Sequence, residues 1–143
     1  MNRLHPSRHI RFGSATLETL LVFPVLLIVV LGGLELGLLI HARHQLWGAC
    51  REVGRRAALG QEPAQLRATL EQYLGPGKSV DAELSLLDEQ GRAVVRPAEI
   101  PPGAPVTVVL RLPATSAAPD LLRWVGFSLQ GQILEVHTVW RRE

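Results

Sequence analysis

An uninterrupted apolar run near the start of the chain limits its fold more than any other feature. The 22 residues 19–40 read TLLVFPVLLIVVLGGLELGLLI and include one charged residue, Glu35. A helix of this length spans roughly 33 Å, which is enough for a hydrocarbon core of about 30 Å. A helix on the surface of a soluble protein would show a polar face, and this run shows none. The run therefore predicts one membrane-spanning helix.

A short basic leader and a glycine–glutamate pair precede and open the apolar run. Three basic residues and no acidic residue lie before Gly13, namely Arg3, Arg8 and Arg11. Gly13 is followed by four residues and then by Glu18. A peptidase at the cytoplasmic membrane face needs its scissile bond just outside the apolar segment, and glycine lets the backbone extend into such a site without side-chain hindrance. The pattern therefore predicts cleavage between Gly13 and Ser14.

Two other kinds of N-terminal segment share such an apolar run. A secretory signal peptide has an apolar core of about 7–15 residues and a small-residue cleavage site. Here the core is longer, and Ile40-His41-Ala42 at its end is a poor site. Neither the length of the core nor the poor cleavage site conflicts with an uncleaved signal anchor. The alternative function is therefore a signal-anchored periplasmic binding module that docks to another envelope complex.

Two carboxylates in or beside the apolar run are candidate assembly residues. Glu18 lies about one helical turn after Ser14, and a lone carboxylate there is costly in a membrane. Pairing with the amino terminus of a neighbouring subunit would offset this cost and fix the axial register of two helices. Glu35 is expected either to reach the membrane interface or to contact a partner helix, Arg43 or His44.

Small residues and a proline inside the run are expected to shape helix packing. Gly33 and Gly37 have the Gly-x-x-x-Gly spacing that lets two membrane helices approach closely, and Gly32 widens this face. Pro24 removes one backbone hydrogen bond and predicts a kink, which is either harmless or used in assembly.

The N-terminal stretch resembles a known family. Residues 13–37 read GSATLETLLVFPVLLIVVLGGLELG and residues 50–60 read CREVGRRAALG. Both are similar to the TadE-like family of minor pilins, or pseudopilins, of the tight-adherence (Tad, or Flp) pilus system. Four residues match the family position by position, namely Gly13, Glu18, Pro24 and Glu35. Thr19 departs from the pattern, since an aromatic residue often follows the first Glu. The resemblance is strongest over residues 11–60.

The resemblance implies a function and a location. A dedicated prepilin peptidase would cleave after Gly13, and the product would join or assist a pilus that serves surface attachment or secretion. The implied partners are the membrane, the peptidase, other pilin subunits and inner-membrane assembly proteins. The N-terminus would be cytoplasmic and the residues after 40 periplasmic in a bacterial inner membrane, or incorporated in the pilus. Charge counting does not orient the helix, because residues 41–60 hold four Arg and one Glu against three Arg in the leader.

Beyond the membrane, the helix is predicted to continue to Leu59. Apolar residues at spacings of three and four form one stripe on it, made of Leu39, Ala42, Leu46, Cys50, Val53 and Ala57. A second helix is predicted to start at Pro63 and to stop at Gly75-Pro76-Gly77. Alternating apolar residues predict strands over 80–86 and 106–112 and a last strand over 133–140, with a short return strand over 93–96. Residues 114–119 are expected to be a flexible connection, and Asp120 to cap a helical turn that reaches Trp124.

These elements predict an α+β, pilin-like fold. One long N-terminal helix would pack on a small antiparallel sheet with a short second helix. The predicted parts are a leader at residues 1–13, a transmembrane helix at 14–40, a helix extension outside the membrane at 41–60 and a small periplasmic α+β domain at 61–143.

Composition and motifs argue against several function classes. The formal charge of +2 arises in the leader, since residues 14–143 hold 12 basic and 13 acidic residues. No nucleic acid partner is therefore expected. His41 and His44 have helical spacing but no evident third metal ligand. Neither catalytic motifs nor cofactor motifs occur, so we expect no enzyme activity, no cofactor, no metal and no small-molecule substrate. Cys50 is the one cysteine and is expected to be a small apolar helix residue.

Overall fold

The structure is a computed structural model that describes the backbone of residues 12–143 and the side chains of residues 18–143. Residues 1–11, which form most of the predicted leader, lie outside the described residues, as do the side chains of residues 12–17 around the predicted cleavage site. Within the described part, the first helix, α1, spans Phe12–Ala58 and has 47 residues. It continues through Pro24 and ends one residue before the predicted end.

The end of α1 is fixed by a glycine. Gly60 has a left-handed φ of 73°, which glycine adopts without steric cost. Its N–H donates to the carbonyl of Ala57 at 2.9 Å, and the N–H of Gln61 donates to the carbonyl of Arg56 at 3.2 Å. This pair of bonds is the Schellman arrangement, which satisfies carbonyls that the helix leaves without partners. The chain therefore turns sharply here, and the domain folds back onto α1.

The second helix, α2, spans Pro63–Leu74, as predicted. Pro63 occupies its first turn, where a missing N–H costs nothing, and Gly75 ends it with a φ of 79°. The apolar side chains of α2 that face the core are Leu66, Leu70 and Leu74.

The strand predicted to start at Val80 begins three residues later. Pro76 starts another helix, α3 (Pro76–Asp81), and Val80 on it is 84% exposed. The first strand, β1, is Glu83–Leu87. The prediction is wrong at its start because the alternation of apolar residues ignored Pro76, whose fixed φ suits the first turn of a helix.

The remaining strands complete one antiparallel sheet. They are β2 (Ala93–Val94), β3 (Pro105–Pro113) and β4 (Ile133–Arg141). The sheet order is β2-β1-β3-β4, with Leu86 opposite Val108 and Leu110 opposite Val136. Residues 114–119, predicted to be a flexible connection, contain a short helix, α4 (Ala114–Ala117). Short 3-10 turns lie at Pro97–Glu99 and Arg123–Val125.

The hydrophobic core lies between α1, α2 and the sheet. Its fully buried side chains come from all three elements, among them Leu46, Cys50, Val53, Leu66, Val106, Val108, Leu110 and Leu112. The predicted stripe on α1 is the part of the helix that packs on the sheet, and of its six residues only Leu39 is half-exposed. The α+β fold with a long N-terminal helix on a small antiparallel sheet is therefore confirmed.

Candidate functional site

The lower part of α1, residues 18–40, extends beyond the core of the domain. By length and composition, α1 is able to cross a membrane as a single anchor. Most side chains of the lower part are exposed within the chain, and the residues that are covered at least in part form one face, made of Ile28, Leu31, Gly32, Glu35 and Leu39. A segment that meets lipid on most sides is expected to have this distribution.

Glu35 is the charged residue on this covered face. Its exposed fraction is 4%. Its Oε2 accepts hydrogen bonds from the backbone N–H groups of Leu121 at 2.9 Å and Leu122 at 3.1 Å. The two N–H groups lie just before the 3-10 turn at Arg123–Val125, and the N–H of Leu121 is shared with the carbonyl of Pro119 at 3.0 Å. Glu35 therefore caps a turn that lies far along the chain. The expectations of interface exposure and of contact with Arg43 or His44 are wrong within this chain, and contact with a partner helix stays a prediction.

The segment that Glu35 holds is a closed loop, residues 120–129, which we call the capped loop. Asp120 joins its two ends, because its Oδ2 accepts from the hydroxyl of Ser128 at 2.8 Å and its Oδ1 accepts from the N–H of Leu129 at 3.2 Å. Gly126 turns the chain with a φ of 89°. Asp120 was expected to cap the helical turn. That expectation is wrong, since Asp120 closes the base of the loop and Glu35 supplies the cap.

Gly32 lets the capped loop approach the helix. A Cβ at this position would lie 3.2 Å from Cδ1 of Leu122, which is closer than ordinary van der Waals contact. Gly33 and Gly37 differ, since no atom of the described chain lies within 4 Å of a Cβ built on either. At about 100° per residue they lie on roughly the opposite side of α1 from Glu35. Gly32 therefore belongs to the loop contact and does not widen the Gly33–Gly37 face.

A second glycine on α1 positions the last strand. A Cβ at Gly54 would lie 2.5 Å from the indole of Trp140 and 2.8 Å from the side chain of Thr138. Real Cβ atoms do not reach such distances, so the indole packs on the helix because position 54 has no side chain. Trp140 Nε1 is buried and has no hydrogen-bond partner among the described residues. Apart from the glycine itself, no local pattern of residues indicated this contact.

An ion-pair cluster ties α1 to α2. The Glu52 carboxylate accepts from Arg55 at 2.7 Å and from Arg56 at 2.9 Å. These guanidinium groups lower the pKa of Glu52 from 4.5 to about 2. Arg56 also donates to the buried hydroxyl of Thr69 at 2.6 Å, and that hydroxyl donates to the carbonyl of Gln65. The cluster is structural, and it places Arg56 at the junction of the two helices.

Cys50 and the histidines provide no reactive centre among the described residues. The Cys50 thiol is fully buried, and its Sγ lies 3.6 Å from the carbonyl of Val108. Burial raises the pKa of this thiol from 9.0 to about 11, so it stays neutral at physiological pH. His41 shares a 3.0 Å hydrogen bond with Gln45. Over residues 18–143, no group of three or more His, Cys, Asp or Glu side chains is arranged to hold a metal ion.

The comparison with protein families found a match that covers most of α1. Residues 13–55 match the family described as TadE-like protein. The chain is TadE-like over these residues. The matched range starts at Gly13 and includes Glu18, Pro24 and Glu35, so the resemblance predicted from these residues is confirmed. Comparison with curated proteins and with solved structures returned no match.

The TadE-like segment, residues 13–55, contains one half of the Glu35 contact. The capped loop that completes the contact lies outside the matched range. Glu18 lies about 26 Å from Glu35 along the helix and is exposed, so the structure does not bring the two carboxylates together.

Proposed function

We propose that the chain is a TadE-like minor pilin that a prepilin peptidase cleaves between Gly13 and Ser14 and that takes part in assembly of a tight-adherence pilus. The observation that carries the proposal is the family match over residues 13–55, which begins at Gly13 itself. The mature chain would start at Ser14, cross the inner membrane once and place its α+β domain in the periplasm.

The two faces of the lower helix support an assembly role. One face is covered by the capped loop at Gly32 and Glu35. The other presents Gly33 and Gly37, and the described chain leaves it open. Small residues at this spacing let a second membrane helix approach to backbone contact. In the proposed assembly, this open face packs on a neighbouring pilin helix while the domain keeps its own contacts.

Glu18 fits the same arrangement. Its side chain is exposed at the lower end of the described helix. In the mature protein it would lie about one turn from the amino terminus at Ser14. A carboxylate at this depth is costly unless it is paired. The amino terminus of a neighbouring subunit would supply the pairing charge and would set how far one helix is displaced along the other.

The test is the mass of the protein recovered from the membrane of its host. An amino terminus at Ser14 supports processing, and Gly13→Ala should leave the precursor intact. Gly48→Ala is the matched control, because a Cβ at Gly48 meets no atom within 4 Å in the described chain. An intact Met1 in the wild-type protein, or normal processing of Gly13→Ala, would overturn the cleavage assignment. The intact chain would instead favour the signal-anchored binding module.

A further inference from the structure

The capped loop carries exposed apolar side chains that the fold does not use. Trp124 is 60% exposed, Phe127 is 70% exposed and Val125 is 40% exposed. They lie within four consecutive residues, and Arg123 adjoins them. Neighbouring exposed apolar side chains of this size are typical of a surface that contacts another protein or a membrane.

The level of this loop along α1 indicates what covers it. The loop contacts α1 at Gly32 and Glu35, and both lie inside the apolar run at residues 19–40. Gly32 lies about 12 Å before the end of that run at Ile40. If the run spans the bilayer, the capped loop therefore reaches the same lipid leaflet as the end of the helix.

The backbone hydrogen bonds of the loop are compatible with burial in lipid. Unpaired N–H groups are costly away from water. Most of the loop amides have acceptors within the chain: those of Leu121 and Leu122 donate to Glu35, that of Leu129 donates to Asp120, and those of Val125, Gly126 and Phe127 donate to loop carbonyls. The loop therefore presents apolar side chains on a backbone whose donors are mostly satisfied.

We propose that residues 121–127 insert into the headgroup–acyl boundary of a phospholipid bilayer, on the side from which α1 emerges. Trp124 and Phe127 are the anchors, since aromatic side chains favour this boundary. The occupant is lipid rather than a second copy of the chain, because the loop is continuous with a helix face already at membrane depth. The proposal rests on the proposed membrane span of α1. Glu35 would then hold the capped loop, as a second membrane contact, in a fixed position against the membrane-spanning part of α1.

The three tryptophans allow a direct test in the full chain. Variant W47F/W140F leaves Trp124, and W47F/W124F leaves Trp140, which packs on Gly54 about 28 Å beyond Glu35 along the helix. Each protein is reconstituted in phosphatidylcholine–phosphatidylglycerol vesicles that contain a phospholipid with a nitroxide near its headgroup. We expect Trp124 to lose most of its emission to the nitroxide and Trp140 to keep its emission.

A helix reporter separates failure of this proposal from failure of the membrane span. Val29→Trp in a chain without the three native tryptophans places an indole at an exposed position in the middle of the apolar run. Quenching of this introduced indole by a nitroxide deep in the acyl chain, together with unquenched Trp124, would overturn the loop insertion and leave the span intact. Absence of quenching both at Trp124 and at the introduced indole would overturn the span itself. Protection of Trp124 from aqueous iodide without lipid quenching would identify a second copy as the occupant and would also overturn the proposal.

A second measurement does not depend on replacing Trp140, whose packing on Gly54 the domain needs. A nitroxide label at Trp124→Cys is compared with one at Val139→Cys, an exposed position beside Trp140. The buried Cys50 is not expected to react with the label. The label at position 124 should collide more often with oxygen than with a water-soluble nickel complex, and the label at position 139 should show the reverse. Equal nickel access at the two sites would contradict insertion.

Discussion

The carboxylate of Glu35 lies 2.9 Å from the backbone nitrogen of Leu121, a residue 86 positions further along the chain. This contact joins the apolar part of α1 to a loop of the C-terminal domain. It also explains why an acidic residue is tolerated within an apolar run, since two backbone donors replace the water that the carboxylate loses. The contact therefore fixes the domain at one level along its own anchor.

Replacing Glu35 should release the capped loop. Glu35→Ala leaves the N–H of Leu122 without an acceptor and leaves the N–H of Leu121 only the carbonyl of Pro119, so it should lower the free energy of unfolding by about 1–3 kcal/mol. Glu35→Gln keeps one acceptor oxygen and should lose less. Hydrogen exchange at Leu121 and Leu122, in detergent micelles, measures the effect locally and should speed up in Glu35→Ala. Equal exchange in both variants and in the wild type would show that the contact does not hold the loop.

Two glycines on α1 should respond in opposite ways to alanine. Gly54→Ala forces a methyl group against Trp140, and should lower the free energy of unfolding by about 1–3 kcal/mol. Gly48→Ala meets open space and should raise it by about 0.5–1 kcal/mol, because alanine has the higher helix propensity. Chemical unfolding of both variants gives the comparison. In a double-mutant cycle, Trp140→Ala should remove most of the additional cost at position 54, and simple additivity would contradict the packing argument.

The ion-pair cluster at Glu52 predicts a dependence of stability on pH. The folded-state pKa of Glu52 is lowered to about 2 from 4.5. Between these values the unfolded chain binds more protons than the folded chain, so this contribution to stability is complete above pH 4.5 and is lost as pH falls toward 2. Glu52→Gln should be less stable than the wild type at pH 7, and the two should converge as pH falls through this window. A constant difference across the whole window would assign the effect to packing instead.

Cys50 should be protected until the domain unfolds. Its thiol is buried in the core, and burial raises its pKa to about 11 from 9.0. Alkylation by a maleimide should therefore be slow in the native protein and fast in denaturant. The pKa also sets a direction at alkaline pH, because the unfolded chain loses this proton near pH 9 and the folded chain does not. Stability should fall above about pH 9 in the wild type, and Cys50→Ala should lack this part of the decline.

Much of the fold could be predicted because its signals are local. Pro63 and the leucines that follow it at four-residue spacing predict α2, and alternating apolar residues predict β3 and β4. The stripe on α1 predicts the helix face that packs on the sheet. The error at Val80 arose where two local signals competed, an alternating pattern and a proline at a helix start.

The candidate site was less predictable because its partners are far apart in sequence. Glu35 was recognised as unusual, but nothing near it in the sequence indicates that it accepts hydrogen bonds from the amides of Leu121 and Leu122. Asp120 was the nearer candidate cap, and it is used to close the loop instead. Gly32 was grouped with Gly33 by its size, although Gly32 contacts Leu122 and no atom of the described chain lies near a Cβ built on Gly33. A buried charge requires donors, and that requirement alone could have prompted a search for a distant loop.

Glu18 offers a test of assembly that is separate from processing. Glu18→Ala should still be cleaved after Gly13, because the scissile bond and the leader are unchanged. It should assemble poorly, because the mature helix would lack the carboxylate that pairs with the amino terminus of a neighbouring subunit. Mass spectrometry measures processing, and the amount of sheared pili measures assembly in the same cells. Gly48→Ala serves as the control and should assemble normally. Normal pilus levels with Glu18→Ala would show that the register of neighbouring helices is set elsewhere, and the open face at Gly33 and Gly37 would then be the next site to replace.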